Sequence, residues 1–269
     1  MIVCKSPAEI ERMRPANALV AAVLTELAAL ARPGVSTAEL DAYAERRVRD
    51  AGAVPAFKGY RGYPATLCAS VNDEVVHGIP SARRVLREGD IVSLDMGVLY
   101  DGFYGDAALT VGVGRIAPAA ARLLAVTEEA LFRGIAAARP GARLSDIGHA
   151  IQSYVEAEGF SVVREFVGHG IGARLHEEPQ IPNYGEPGRG VRLVPGMVLA
   201  IEPMVNLGRP GVRILDDGWT AVTRDGSLSA HFEHTVAVTA DGPVILTVRP
   251  DGEVRWLAPR RDELRADAR

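Results

Sequence analysis

The chain has 269 residues, 48% hydrophobic and 24% charged, with a net charge of −4 and a pI near 5.9. That composition suits a soluble globular protein with a sizeable core, and it excludes the global basic field that draws a protein to nucleic acid. The only cysteines, Cys4 and Cys68, supply neither a disulfide framework nor a CxxC metal pair, so a reducing compartment is expected.

The N-terminal stretch Met-Ile-Val-Cys-Lys-Ser-Pro-Ala-Glu lacks the basic-then-apolar layout of a signal peptide. The apolar run at 18–24 falls short of the roughly 18 residues that suggest a membrane span. A cytoplasmic protein without a membrane partner is expected. Ser6-Pro7-Ala8-Glu9 reads as a helix start, with Ser as N-cap, Pro at the first helical position and Glu in capping-box spacing. The helix runs to Ala31, where Pro33-Gly34 stops it, and a second runs from Ser36, with Glu39 three residues on, to Gly52. The period then becomes strand-like at 65–76, 90–96 and 107–113. A second helix pair is expected over about 118–138 and 145–158, stopped by Pro140-Gly141 and Gly159, followed by strands at 160–167, 197–205, 220–223, 233–238 and 244–248. This order predicts an α+β fold, an antiparallel sheet covered on one face by helices.

The two helix pairs belong to an internal repeat. Ala31-Arg32-Pro33-Gly34 returns 107 residues later as Ala138-Arg139-Pro140-Gly141, and the apolar run ending on Asp95 returns as one ending on Glu202. At the same offset Gly52 meets Gly159, Leu86 meets Leu193, and Gly89 meets Gly196. Each half therefore ends a strand on a carboxylate. A second acid follows in each, Asp106 beyond the turn Tyr100-Asp101-Gly102, and Glu233. One such aspartate alone reads as a turn residue, but four acids at strand ends suggest a shared metal centre, because a buried carboxylate needs a cation or hydrogen bonds. His169 stands between glycines in Gly168-His169-Gly170-Ile171-Gly172, with His176 seven residues on and His77 in Val76-His77-Gly78. His149 and His231 are expected to be structural, and His234 either supports the site or is structural too.

Taken together, GHGIG at 168–172, HEEP at 176–179, Asp95-Met96-Gly97 with Asp106, IEP at 201–203 and FEHT at 232–235 resemble the type I methionine aminopeptidases of bacteria, which have the pita-bread metallopeptidase fold. The resemblance runs to about residue 249. It implies two pseudo-symmetric halves, about 1–115 and 116–249, in one catalytic domain, with 250–269 as a charged C-terminal tail. It implies one divalent ion on Asp106, His169, Glu202 and Glu233 and a second on Asp95, Asp106 and Glu233, and this mixed oxygen and nitrogen set suits Co, Mn, Fe or Zn. Glu202 would be the general base, His176 the donor to the developing oxyanion, and His77 the group facing the scissile amide nitrogen. The methionine side chain would sit among Phe57, Tyr60, Tyr63, Cys68, Leu175 and Trp219. Phe57 stands where the family commonly has Cys, Leu175 where it has Phe, and Arg61 replaces a frequent His at the pocket mouth. The implied substrates are nascent polypeptide N-termini near the ribosome, met by a monomer that does not itself recognise nucleic acid. Two rivals are a prolidase or aminopeptidase P of the same fold, and a catalytically dead relative kept as a binding module. All five ligand residues are present, which argues against the second.

Overall fold

The first helix starts as its residues dictate. In the computed structural model, which describes residues 1–257, Ser6 Oγ accepts from the Glu9 N–H at 3.3 Å, and the Glu9 carboxylate accepts from the Ser6 N–H at 2.8 Å. Ser36 and Glu39 repeat both bonds at 3.3 and 2.8 Å. The first half comprises α1 (Pro7–Leu30), α2 (Thr37–Asp50), β1 (Val54–Pro55), β2 (Cys68–Val71), β3 (Glu74–Val76), β4 (Ile91–Tyr100) and β5 (Phe103–Gly112). The second half opens with α3 (Pro118–Ala137) and α4 (Leu144–Ala157), then β6 (Ser161–Val162), β7 (Gly168–Gly170), β8 (Glu177–Ile181), β9 (Val198–Ile201) and β10 (Met204–Asn206). It closes with β11 (Val212–Ile214), β12 (Ala221–Thr223), β13 (Ser229–His231), β14 (Glu233–Thr239) and β15 (Gly242–Ile245). The main sheet is antiparallel throughout and runs β1-β4-β5-β14-β9-β7-β8, with β2 added to β4 and β15 to β14. Two three-stranded sheets, β13-β10-β6 and β11-β12-β3, flank it.

The repeat is visible bond by bond. The Gly34 N–H donates to Leu86 O at 2.9 Å, and 107 residues on the Gly141 N–H donates to Leu193 O at 2.8 Å. Bridges Ser36–Val85 and Arg143–Arg192 obey the same offset. Gly34 and Gly141 have φ of +92° and +89°, a left-handed conformation open to glycine at little cost. The halves meet where β5 pairs with β14 through only Ala108–Glu233 and Ala107–His234. Beyond those pairs, threonine hydroxyls take the place of ladder bonds. Thr235 Oγ1 accepts from the Asp106 N–H and donates to Asp106 O, while Thr110 Oγ1 accepts from the His231 N–H and donates to His231 O.

Helix α1 packs on β4 and β5, and α3 packs on α4 and on strands of the second half. Among the described residues α1 is long and apolar enough to cross a membrane by length and composition, a property the run at 18–24 understates. Its stripe Met13, Ala16, Val20, Leu24 and Leu27 is nevertheless fully buried against the sheet, at the 3–4 residue spacing of a core-facing helix. Gly105 permits this approach, since a Cβ there would lie 2.8 Å from the Ala16 carbonyl carbon. Because Leu24 has no exposed surface, Leu24→Ala should lower the unfolding free energy by about 2–5 kcal/mol. Urea titration would measure it, and a change below about 1 kcal/mol would mean that the site collapses around the deletion.

Several elements differ from the sequence-based expectation. The loop between β4 and β5 is only Asp101-Gly102 (φ +47° and +80°), so both strands reach further than predicted. The strand expected at 197–205 is divided at Glu202-Pro203, where Pro203 has no N–H to give a ladder. The strand expected at 65–76 breaks at Asn72 (φ +61°). At 160–167 only Ser161–Val162 is paired, the final strand lies at 242–245 instead of 244–248, and β1, β7, β8, β11 and β13 fall outside the expected strands. Residues 250–257 lie against the second half, with Trp256 stacked on His234 at 5.2 Å and the Trp256 N–H donating to Glu128 at 2.6 Å. The rest of the expected tail, 258–269, lies outside the described residues.

Candidate active site and metal centre

Strand register assembles the acids. In the β4–β5 hairpin Asp95 pairs with Ala108 and Gly97 with Asp106, so the two aspartates are diagonal neighbours on one face. The row continues on both sides. Cys68 of β2 pairs with Asp95, and Glu233 of β14 pairs with Ala108. Ala108 contributes only a methyl between the two acids. On β9, Ile201 pairs with His234, which places Glu202 beside Glu233 at the strand end. His169 of β7 pairs with Ala200, two residues before Glu202 and therefore on the same face.

The assembled groups lie close together. Asp106, His169 and Glu233 offer ligand atoms all within 4.8 Å of one another. His169 Nε2 is 3.6 Å from Glu202 Oε1 and 3.9 Å from Asp106 Oδ2. His169 Nδ1 is 2.9 Å from Gly170 O; it donates there, which leaves the Nε2 lone pair free for a cation. Asp95 Oδ1, Asp106 Oδ1 and Glu233 Oε1 are buried with no hydrogen-bond partner among the described residues. Burial pushes the Asp95 carboxyl up to about 7. Burial, and after it the charge on neighbouring carboxylates, also raises Asp106, Glu202 and Glu233. Burial lowers His169 to about 4, keeping it neutral near pH 7. Anionic oxygens this close, without protein cations to pair them, are costly as they stand. A divalent ion removes that cost, and the residues present fit one.

All thirteen residues singled out from the sequence line a single cavity of about 160 Å³, together with Arg61. At one end Tyr63 stands edge-on to Trp219 at 5.2 Å. Its hydroxyl donates to a backbone carbonyl, with Gly78 O at 3.0 Å and Leu67 O at 3.1 Å, which fixes that wall. Phe57 lies over Gly97, where a Cβ would come within 3.0 Å of the ring. At the mouth, His176 Nδ1 is 2.9 Å from Tyr60 Oη, and its ring lies 4.2 Å from that of His169. His77 has φ +61° and stands edge-on to Phe166 at 5.3 Å. A smaller cavity of about 130 Å³ shares His77, Asp95, His169, His176 and Glu202, and extends to Val76, Phe166, Met204 and His231.

Two residues reach the site without having been expected there. His231 is buried, with Nε2 3.8 Å from Glu202 Oε2 and no hydrogen-bond partner for that atom. It ends β13 in a flanking sheet, where it pairs with Met204 of β10, two residues after Glu202. Lys5 ion-pairs with Glu177 at 2.6 Å, both side chains buried, and ties the turn bearing His176 to the N-terminal segment. His149 stays exposed on α4, bonded to Gly185 O at 3.2 Å. His234 points away from the acids, held by Thr247 Oγ1 at 2.7 Å and Val254 O at 2.8 Å.

Known proteins resemble this chain in sequence and fold. Residues 11–240 match metallopeptidase family M24. Methionine aminopeptidase 1 of Bacillus subtilis is 56% identical over 247 residues, covering 92% of this chain and 99% of that protein. Methionine aminopeptidase of Escherichia coli is 47% identical over 251 residues, or 93% and 95% of the two chains. A crystal structure of the Thermotoga maritima methionine aminopeptidase superimposes with a TM-score of 0.90 at 50% identity, covering 92% of this chain and 99% of that one. The prolidase of Pyrococcus horikoshii shares the fold at 23% identity and a TM-score of 0.75, and this chain covers 66% of it.

Proposed function

Because the chain belongs to metallopeptidase family M24 and, within it, to the methionine aminopeptidases, we propose that it removes the N-terminal methionine from nascent proteins and peptides whose second residue is small. The observation that carries this reading is one row of side chains across the sheet. It runs from Cys68 in the apolar end of the cavity, through Asp95 and Glu233, to Glu202.

Asp106, His169, Glu202 and Glu233 would hold one divalent ion, and Asp95, Asp106 and Glu233 a second, with Asp106 and Glu233 shared. Co, Mn, Fe or Zn fits these donors. Ions bound there lower the pKa of water and polarise the scissile carbonyl. Glu202 accepts the proton of the attacking water and returns it to the departing amine. His176 donates to the carbonyl oxygen as negative charge builds on it. His77 faces the amide nitrogen. Phe57, Tyr60, Tyr63, Cys68, Leu175 and Trp219 enclose the methionine side chain, whose polarizable thioether suits an aromatic and sulfur-lined wall. Phe57 is larger and Leu175 smaller than the residues common in the family at these places, and both line the same cavity, so the two changes act on its volume in opposite directions. The adjoining cavity of about 130 Å³ opens beside the same acids and is where the second residue would lie. On this reading the enzyme works in the cytoplasm as a monomer, on chains leaving the ribosome.

Manganese- or cobalt-loaded protein should release free methionine from Met-Ala-Ser and leave Xaa-Pro dipeptides intact. Cleavage of the Xaa-Pro dipeptides alone would establish the prolidase reading instead. Binding of Met-Ala-Ser without release would leave only a binding module.

A further inference from the structure

The His176 ring has a built partner at the mouth of the cavity. Its Nδ1 lies 2.9 Å from Tyr60 Oη, and the two rings stack at 5.1 Å with 23° between their planes. Both partners are mounted on tied turns. Tyr60 begins a tight turn closed by Tyr60 N–H to Phe57 O at 2.9 Å, Tyr63 N–H to Tyr60 O at 3.0 Å and Gly59 N–H to Tyr63 O at 2.7 Å. His176 precedes Glu177, which ion-pairs with buried Lys5 at 2.6 Å and accepts from the Arg174 N–H at 3.1 Å. Neither ring is free to drift from the other.

A neutral imidazole carries one N–H, and the partner of one nitrogen decides the role of the other. A phenol hydroxyl can donate or accept. If it accepted from Nδ1, then Nε2 would carry a lone pair and would repel a developing oxyanion. If it donates, the proton stays on Nε2, which makes no hydrogen bond among the described residues. The second arrangement is favoured because a phenol is the stronger donor of the two groups and the Tyr60 hydroxyl has no other acceptor among the described residues.

We propose that Tyr60 is a positioning residue for the reaction: its hydroxyl donates to Nδ1 of His176 and holds the imidazole as the Nε2–H tautomer. This role is separate from lining the methionine pocket, and it rests on the reading of His176 as the donor to the carbonyl oxygen. Tyr60→Phe keeps the stacked ring and the pocket wall while removing only the hydroxyl. With Met-Ala-Ser and saturating metal, kcat should fall roughly tenfold, as expected for one hydrogen bond made effective at the transition state, with KM nearly unchanged. In the zinc-loaded protein, 15N spectra of the His176 ring should show the Nε2–H form, and Tyr60→Phe should show a mixture of tautomers. In a His176→Gln background, Tyr60→Phe should slow the enzyme no further. Full activity of His176→Gln would overturn the parent reading, and this inference with it. A slow His176→Gln beside a Tyr60→Phe of unaltered kcat and tautomer would overturn the inference alone. So would a Tyr60→Phe effect confined to KM, or one that adds to His176→Gln, since either places Tyr60 in the pocket only.

Discussion

Glu202→Gln should abolish measurable methionine release, with kcat reduced by about 10²–10⁴-fold, the range for a lost general base. The change is nearly isosteric. It keeps the end of β9, where Pro203 turns the chain away, and it keeps an oxygen able to face His169 Nε2, now 3.6 Å from Oε1. What it removes is the capacity to accept a proton. Burial and the nearby Asp95 and Asp106 raise the Glu202 carboxyl, so without a cation this group is the protonated acid over a wider pH range. An ion in the centre restores it to the base form. Because the same side chain would bind metal, the variant needs two measurements, turnover at saturating metal and metal content by elemental analysis. Near-normal turnover in Glu202→Gln would sink the proposed mechanism. Loss of turnover with full metal content would isolate the proton transfer.

Metal removal should have the second large effect, and its sign with pH is fixed by the same carboxyls. Asp95 is raised to about 7, and Asp106, Glu202 and Glu233 are also raised, all chiefly by burial. In the unfolded chain such groups titrate near about 4. Between these values the folded metal-free protein binds more protons than the unfolded one, so stability falls as pH rises. The contribution is complete below about pH 4 and is lost as pH climbs through the folded values, for Asp95 around 7. Metal binding requires the deprotonated ligands, so it opposes this loss most strongly at high pH. Calorimetry with chelator and with excess manganese should show a larger metal-induced rise in melting temperature at pH 8 than at pH 5.5. At a metal concentration a thousandfold above Kd the stabilisation is about 4 kcal/mol. An equal shift at both pH values, or a larger one at pH 5.5, would contradict a centre made of these buried acids.

Much of this is legible in the sequence alone, for physical reasons. Ser6 with Glu9 and Ser36 with Glu39 are local signals, and each forms the cap its spacing requires. Asp95 and Asp106 were readable as partners because a turn with glycine lay between them; once the loop is two residues, their diagonal placement follows. His169 and His176 stand out in the sequence as candidate site residues only through family resemblance, since a histidine between glycines has ordinary structural uses. His231 is not legible, because the chain leaves one sheet for another at Phe232 and the pairing that brings it near Glu202 is with Met204, 27 residues before it. Lys5 was not legible, because its partner Glu177 is 172 residues away and nothing local pairs them. Nor was the role of Pro203 in setting Glu202 at a strand end, which depends on which neighbour would have needed the missing N–H.

The narrow pairing of β5 with β14 bears on how the molecule assembles. Asp95 and Asp106 stand on one side of that seam, and His169, Glu202 and Glu233 on the other. The threonine stitches at Asp106 and His231 lie at the same place. Neither half alone owns all of the proposed ligands, so an ion held in the centre would act as a rivet between them. Fragments cut near residue 115 would each be silent. Returning activity on mixing them would then report closure of the seam itself, making catalysis a gauge of the fit between the two halves.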